Sequence, residues 1–289
     1  MSTRRVWFIT GASSGFGLSL TTYALEQGDI VIATVRKPET LKHLVQTWSE
    51  GQLLILKLDV SNLDDIKDAF RTAEIRFGRI DVVYNNAGVS VMGELESTPE
   101  EEARKMFEVN FWGAINVARE AIRFFRDVNN PQGGRLWSVT SGAGLLSIPA
   151  FGYYCASKFA HEGAISTLAT EIDPKWNIKI TLLEYGTFRT RATSSESMVD
   201  SLPHPAYADP STPSSQTRAW VKGDTYIGDA DKAVRMLYSK LLTDPNPPLR
   251  LPLGHDIIPR LLDQWKNNIQ DLERRASWSD GLVTDGRSW

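Results

Sequence analysis

The chain has 289 residues, 42% of them apolar and 23% charged, with a formal charge of -3 and a pI near 5.9. Such a composition excludes a disordered polymer and a disulfide scaffold, and the interspersed charges leave no basic stripe for a nucleic acid. Cys155 is the single cysteine, and His43, His161, His204 and His255 are scattered without ligand spacing, so no metal is expected and a reducing, cytoplasmic setting is.

The opening "MSTRRVWFIT" sets two arginines before an apolar run far too short for a signal peptide or a membrane helix, and no later stretch approaches spanning length. Apolar, β-branched or aromatic runs recur at 6–10, 30–35, 53–58, 81–84, 135–140, 178–183 and 249–253, with helical periodicity between them. The alternation predicts a doubly wound α/β fold: a parallel sheet with right-handed crossovers and helices on both faces. Near-continuous apolar strands agree, because a sheet covered on both faces has no solvent side to mark with polar residues.

Directly after the first run comes "TGASSGFG" (10–17). Gly11, Gly15 and Gly17, with Ser13, Ser14 and Phe16 between them, allow a tight turn and close approach of backbone to a diphosphate, and the helix start offers free N–H groups to an anion. An NAD site usually places Asp or Glu about 20 residues further on to hold the ribose 2′-hydroxyl. Here the second strand ends on Thr34, Val35, Arg36 and Lys37, with no acid before Glu39. The missing carboxylate and the two cations favour NADP(H), with Arg36 as the main phosphate ligand. Further on, Ser61 reads as an N-cap with Asp64 three residues later and Gly78 as the stop, and Thr98, Pro99 and Glu101 read as cap, first helical residue and capping box.

Ser141 ends the fifth run, Tyr154 follows, and Lys158 stands four positions after Tyr154. In a helix from about Gly152, that spacing puts phenol and ammonium on one face. A free phenol has a pKa of about 10, and a neighbouring ammonium and an oxidised nicotinamide both favour its ionised form, which would suit it to acid–base work on an alcohol or ketone. Tyr153 adjoins it but has no lysine at i+4. Tyr and Lys at helical spacing are common, and on spacing alone two residues that merely share one helix face is the stronger reading.

The combination is more specific than its parts. The glycine loop, "NNAG" at 85–88, Asn110, Ser141 and "YCASK" at 154–158, in this order from about residue 4 to 190, resemble the short-chain dehydrogenase/reductase family in its shorter, single-domain branch. The resemblance implies a seven-stranded parallel sheet in the order 3-2-1-4-5-6-7 and hydride transfer with NAD(P)(H). It implies Tyr154 as proton donor, Ser141 holding the substrate oxygen, Lys158 binding the nicotinamide ribose and lowering the tyrosine pKa, and Asn110 holding a water that links Lys158 to solvent. Asp59 and Val60 would meet the adenine, Asn86, Ala87 and Gly88 would pack beside the adenosine half, and Thr187 and Thr190 would reach the nicotinamide amide and phosphates. Two positions depart from the pattern: Tyr185 replaces the family's proline before Gly186, and Ser138 replaces an asparagine of the fifth strand.

From Thr190 to about Gly228 the chain is rich in Ser, Thr and Pro and lacks a sustained period, yet carries Met198, Tyr207, Trp220 and Tyr226. It reads as a substrate lid within one domain, with a surface insertion as the alternative. One helix and a last strand follow, then an amphipathic helix whose Ile257, Leu261, Leu262, Trp265 and Ile269 fall at spacing for a core or subunit interface. The expected function is reduction of a bulky apolar ketone or aldehyde by an enzyme that is monomeric, dimeric or tetrameric. A dinucleotide-binding sensor and, from the longer branch of the family, an epimerase or dehydratase are the alternatives.

Overall fold

The computed structural model describes residues 4–190, 197–223 and 226–282; the parts of the expected lid at 191–196 and 224–225 lie outside them. Seven strands form the main sheet: β1 (Val6–Thr10), β2 (Ile30–Val35), β3 (Leu53–Lys57), β4 (Val82–Asn85), β5 (Gly134–Val139), β6 (Ile178–Tyr185) and β7 (Arg250–Leu253). Their order is β3-β2-β1-β4-β5-β6-β7 and every pairing is parallel, as the sequence predicts. Phe8 points to one face and packs with Phe70, Phe124 and Phe125, while its neighbours Trp7 and Ile9 point to the other and join Leu20, Leu25 and Leu237. Two cores, one on each face, explain why these strands read as unbroken apolar runs.

The helices named below are α1 (Gly15–Glu26), α2 (Leu63–Phe77), α3 (Glu100–Phe107), α4 (Ala114–Asp127), α5 (Gly152–Glu171), α6 (Pro213–Lys222), α7 (Ala230–Met236) and α8 (Ile257–Arg275). Gly78 closes α2 at φ +67, as expected, but two caps differ from the sequence reading. Asn62, not Ser61, occupies the extended position before α2, and its carbonyl oxygen accepts from Asp64 N at 2.9 Å; Ser61 Oγ instead donates to Asp59 at 2.7 Å. Thr98 Oγ1 donates to the Glu94 carbonyl, so Pro99 stands at the cap of α3.

The segment expected to lack regular structure contains a helix and a strand. Thr212 caps α6 by accepting from Ser215 N, with Pro213 in the first turn, and Met198–Asp200 pairs in parallel with Ser90–Met92. In α8, Ile257 and Leu261 are buried as expected, whereas Leu262, Trp265 and Ile269 are exposed. No helix among the described residues is long and apolar enough to cross a membrane.

Strand order reverses between β1 and β4, so the crossovers from their C-terminal ends leave in opposite directions and open a crevice there. The glycine loop after β1 and the turn after β4 face each other across it.

Candidate active site

All the expected catalytic and cofactor residues except Gly17, Lys37 and Asn110 line one cleft of about 390 Å³ at this switch point. Its floor is backbone. Gly11 and Gly15 have φ of +64 and +50, values that favour glycine. A Cβ on Gly11 would come within 3.0 Å of the Ala87 Cα, and one on Gly17 would fall on the Gly11 carbonyl, so Gly17 shapes the cleft from behind. The two turns are tied by a residue the sequence reading passed over: Thr10 Oγ1 accepts from the N–H groups of Asn86 (2.8 Å) and Ala87 (3.0 Å), and Asn86 Nδ2 donates to the Thr10 carbonyl at 2.9 Å.

Helix α1 starts without a side-chain cap from Ser14 and without an acid in its first turn. First-turn N–H groups that Ser14 does not cap, at a positive helix end, form a cradle for a diphosphate, so the residues present fit a dinucleotide. Arg36 lies exposed on the rim with no hydrogen-bond or ion-pair partner among the described residues, and Lys37 does not line the cleft. Asp59 lines the same end, with its carboxylate turned partly to Ser61 N at 3.0 Å.

At the other end stand Ser141, Tyr154 and Lys158. Residues 154 and 158 emerge from the first turns of α5 on one face, with the Lys158 Nζ 5.9 Å from the centre of the Tyr154 ring. Ser141 lies two residues past the end of β5, close enough to the Tyr154 hydroxyl to favour its ionised form. Burial raises the Tyr154 pKa, against the Ser141 hydrogen bond, so the phenol is a neutral acid in the free protein. Burial also pulls Lys158 down to about 8, with the Glu162 carboxylate acting in the opposite direction. Lys158 donates to the Val139 carbonyl at 3.3 Å.

Asn110 is behind this wall, within a π-helical turn at Glu108–Gly113 that separates α3 from α4. Its Oδ1 accepts from Val89 N at 2.9 Å, and its Nδ2 donates to the Val89 carbonyl at 2.8 Å and to Ser157 Oγ at 3.2 Å. A Cβ on Gly88 would come 3.3 Å from Asn110 Oδ1 and 3.7 Å from Lys158 Nζ, which places the asparagine beside the lysine. Such π-turns recur at functional sites because they re-aim one side chain without ending the helix.

Tyr185, in the place of the family's proline, is a packing residue. Its ring stacks on Phe16 of the glycine loop at 3.8 Å and its hydroxyl meets that of Tyr84 at 3.0 Å. Asp256 takes over the turn: its carboxylate accepts from Thr187 N at 3.1 Å, and only a glycine at 186 leaves room for it. Thr187 lines the cleft beyond that turn, and Thr190 lies over Gly15, whose Cβ would come 3.2 Å from it. Ser138, in place of the asparagine, binds His161 Nε2 at 2.8 Å inside the core.

Met198, Trp220 and Tyr226 close the remaining side, while Tyr207 does not reach the cleft. Their support is a buried ion pair that the sequence did not reveal. Arg218 of α6 donates from Nε and Nη2 to the two oxygens of Glu94, at 3.1 and 3.0 Å, and from Nη1 to Asp200 at 2.7 Å.

A family model described as short chain dehydrogenase matches residues 5–199. The chain is 38% identical over 289 residues to an uncharacterized oxidoreductase, C162.03, of Schizosaccharomyces pombe, covering 98% of this chain and 94% of that one. It is 34% identical over 281 residues to the oxidoreductase calM of Penicillium decumbens, covering 94% and 91%. Among solved structures, a short-chain dehydrogenase from Streptomyces avermitilis superposes with a TM-score of 0.87 at 32% identity, covering 98% of this chain and all of the other.

Proposed function

Because the chain belongs to the short-chain dehydrogenase/reductase family, we propose that it is an NADPH-dependent reductase of a bulky, apolar ketone or aldehyde, with Tyr154 as proton donor. The observation that carries this reading is the convergence of Ser141, Tyr154 and Lys158 on the cleft that also holds the glycine loop. Bound there, the cofactor supplies a hydride for the carbonyl carbon. Ser141 holds the carbonyl oxygen, and Tyr154 gives that oxygen the phenolic proton, forming the alcohol. Lys158 stabilises the phenolate left behind, and Asn110 beside it holds a water through which the proton returns.

Preference for NADPH follows from Arg36, the exposed cation on the rim where an NAD site would carry an acid. Bulk in the substrate follows from a second cleft, of about 510 Å³, which meets the first at Ser141, Tyr185 and Trp220 and runs between α6 and α8. We place the carbonyl in the first cleft and the apolar remainder in the second. The segment from 190 to 228 is the lid of one Rossmann-type domain, and Thr187 and Thr190 hold the nicotinamide end of the cofactor.

Purified protein tested for NADPH consumption against aliphatic, aromatic, steroid-like and polyketide-like ketones should turn over the bulky members. Equal use of NADH would overturn the cofactor assignment. Unchanged catalysis by Tyr154→Phe would overturn the mechanism.

A further inference from the structure

Behind the catalytic wall, and outside both clefts, two carboxyl groups are buried against each other. Glu162 of α5 is 3% exposed and Glu184 of β6 is 0% exposed. Both take a hydrogen bond from the same nitrogen, Arg250 Nη1, at 2.6 Å to Glu162 Oε2 and 2.9 Å to Glu184 Oε1. The other Glu162 oxygen accepts from the hydroxyl of Thr140, the residue before Ser141. Glu184 Oε2 is buried with no hydrogen-bond partner among the described residues. Two buried carboxylates against one guanidinium nitrogen cannot both stay ionised at low cost. A proton on the orphaned side of Glu184 removes the second charge and leaves Glu162 as the ionised member, bonded by both Thr140 and Arg250.

The charged partner matters because of where Glu162 stands. It follows Lys158 by four residues in α5, on the same face of the helix. Among the described residues Lys158 itself has no carboxylate bonded to it; its ammonium donates to the Val139 carbonyl. We propose that Glu162 and Glu184 share one proton and that the carboxylate so left on Glu162 keeps Lys158 charged, making Glu162 a positioning residue for the lysine.

No other group facing the pair supplies that charge. His161 of α5 turns to Ser138 and is held neutral by burial, which pushes its pKa down to about 3. The turn over the pair, Gly142–Gly144, contributes no charge, and β5 contributes only the hydroxyl of Thr140. Arg250 of β7 is the one cation bonded to the pair among the described residues and extends outward to Ser166 Oγ at 3.0 Å. Burial raises both carboxyls above the ordinary range, as a shared proton requires. The same burial draws Lys158 down to about 8, and Glu162 is the group that opposes it. Without that carboxylate the lysine would lose charge near neutral pH and cease to stabilise the Tyr154 phenolate.

The inference rests on the role assigned to Lys158 above, but its test needs no turnover. Protein labelled at lysine Cε is titrated by NMR, with Lys158 assigned by comparison with Lys158→Arg. Glu162→Gln should lower the Lys158 midpoint by about one pH unit. Glu184→Gln, which removes the shared proton and leaves Glu162 permanently ionised, should leave the midpoint unchanged or raise it. Thr140→Val keeps both carboxyls but strips Glu162 of its hydroxyl donor; it should lower the midpoint by less, and reports on the pair even if Glu162→Gln does not fold. A general loosening of the core would move all three variants the same way. Lowering by Glu184→Gln equal to that by Glu162→Gln, or no movement by Glu162→Gln and Thr140→Val, overturns the proposal. Neither result depends on whether a ketone is turned over.

Discussion

Across the β1–β4 switch point the cleft presents backbone: turns at Gly11 and Gly15 in the left-handed region, the start of α1, and the turn at 86–88 held by Thr10. Across from it, between α6 and α8, the walls are side chains: Trp220, Ile257 and Leu146, with α6 tied to Glu94 by the buried guanidinium of Arg218. A backbone wall can be altered only by a residue that changes the chain path, whereas a side-chain wall changes with any substitution. One half is therefore suited to a cofactor of constant shape and the other to a substrate particular to this chain.

The sharpest way to break this division is at the point where the halves meet. Tyr154→Phe removes the phenolic hydroxyl and keeps the ring, so turnover should fall by about 10²–10⁴-fold, with NADPH affinity unchanged in a fluorescence titration. Loss of NADPH binding instead would mean that the tyrosine belongs to the cofactor half alone.

Arg218→Ala tests the substrate half. It leaves the buried Glu94 without its cation, while Asp200 keeps Lys222 at 3.0 Å, and removing one partner of a buried pair costs about 3–5 kcal/mol. The cost should appear as a raised KM for the ketone, with early proteolytic cleavage between 197 and 223, while NADPH binding stays within a few-fold of the parent. A matching loss of NADPH affinity would show that the halves are not independent.

Arg36→Ala tests the cofactor half at its rim. A charged hydrogen bond contributes about 1.5–3 kcal/mol, so NADPH affinity should drop by about 10–100-fold and NADH affinity should not. The smallest effect is on pH. Burial disfavours the charged form of Lys158 and sets its pKa at about 8, so kcat/KM for reduction should be level below that value and decline as pH rises through it. A profile level to pH 10 would show that lysine charge is not needed.

The same division governs what could be read from the sequence. Strands, glycine turns and the Gly78 stop are local: each is set by residues adjacent in the chain, and each was found. Ser61 reads as the cap in the sequence because Ser, Thr and Asn all cap well, and only the backbone at Asn62 decides among them. The lid helix did have a signal, Thr212 followed by Pro213, but its ten residues are polar and its apolar period is short. Glu94 and Arg218 are 124 residues apart, and Glu184, Glu162 and Arg250 come from three separate elements. Pairs of that kind leave no period, because only the fold brings them together. Tyr185 was recognised as a departure; that it stacks on Phe16 and yields its turn to Asp256 depends on contacts the sequence does not display.

The central claim is hydride transfer from NADPH to a carbonyl carbon with the proton supplied by Tyr154. The most direct measurement follows the atoms: NADPH carrying deuterium at the transferred position of nicotinamide C4 is incubated with a bulky ketone that the protein consumes, and the alcohol is analysed by mass spectrometry and NMR. The account predicts one deuterium on the carbinol carbon with the parent protein, and no labelled alcohol above background with Tyr154→Phe. Alcohol without deuterium on that carbon, or equal labelling by Tyr154→Phe, would contradict it.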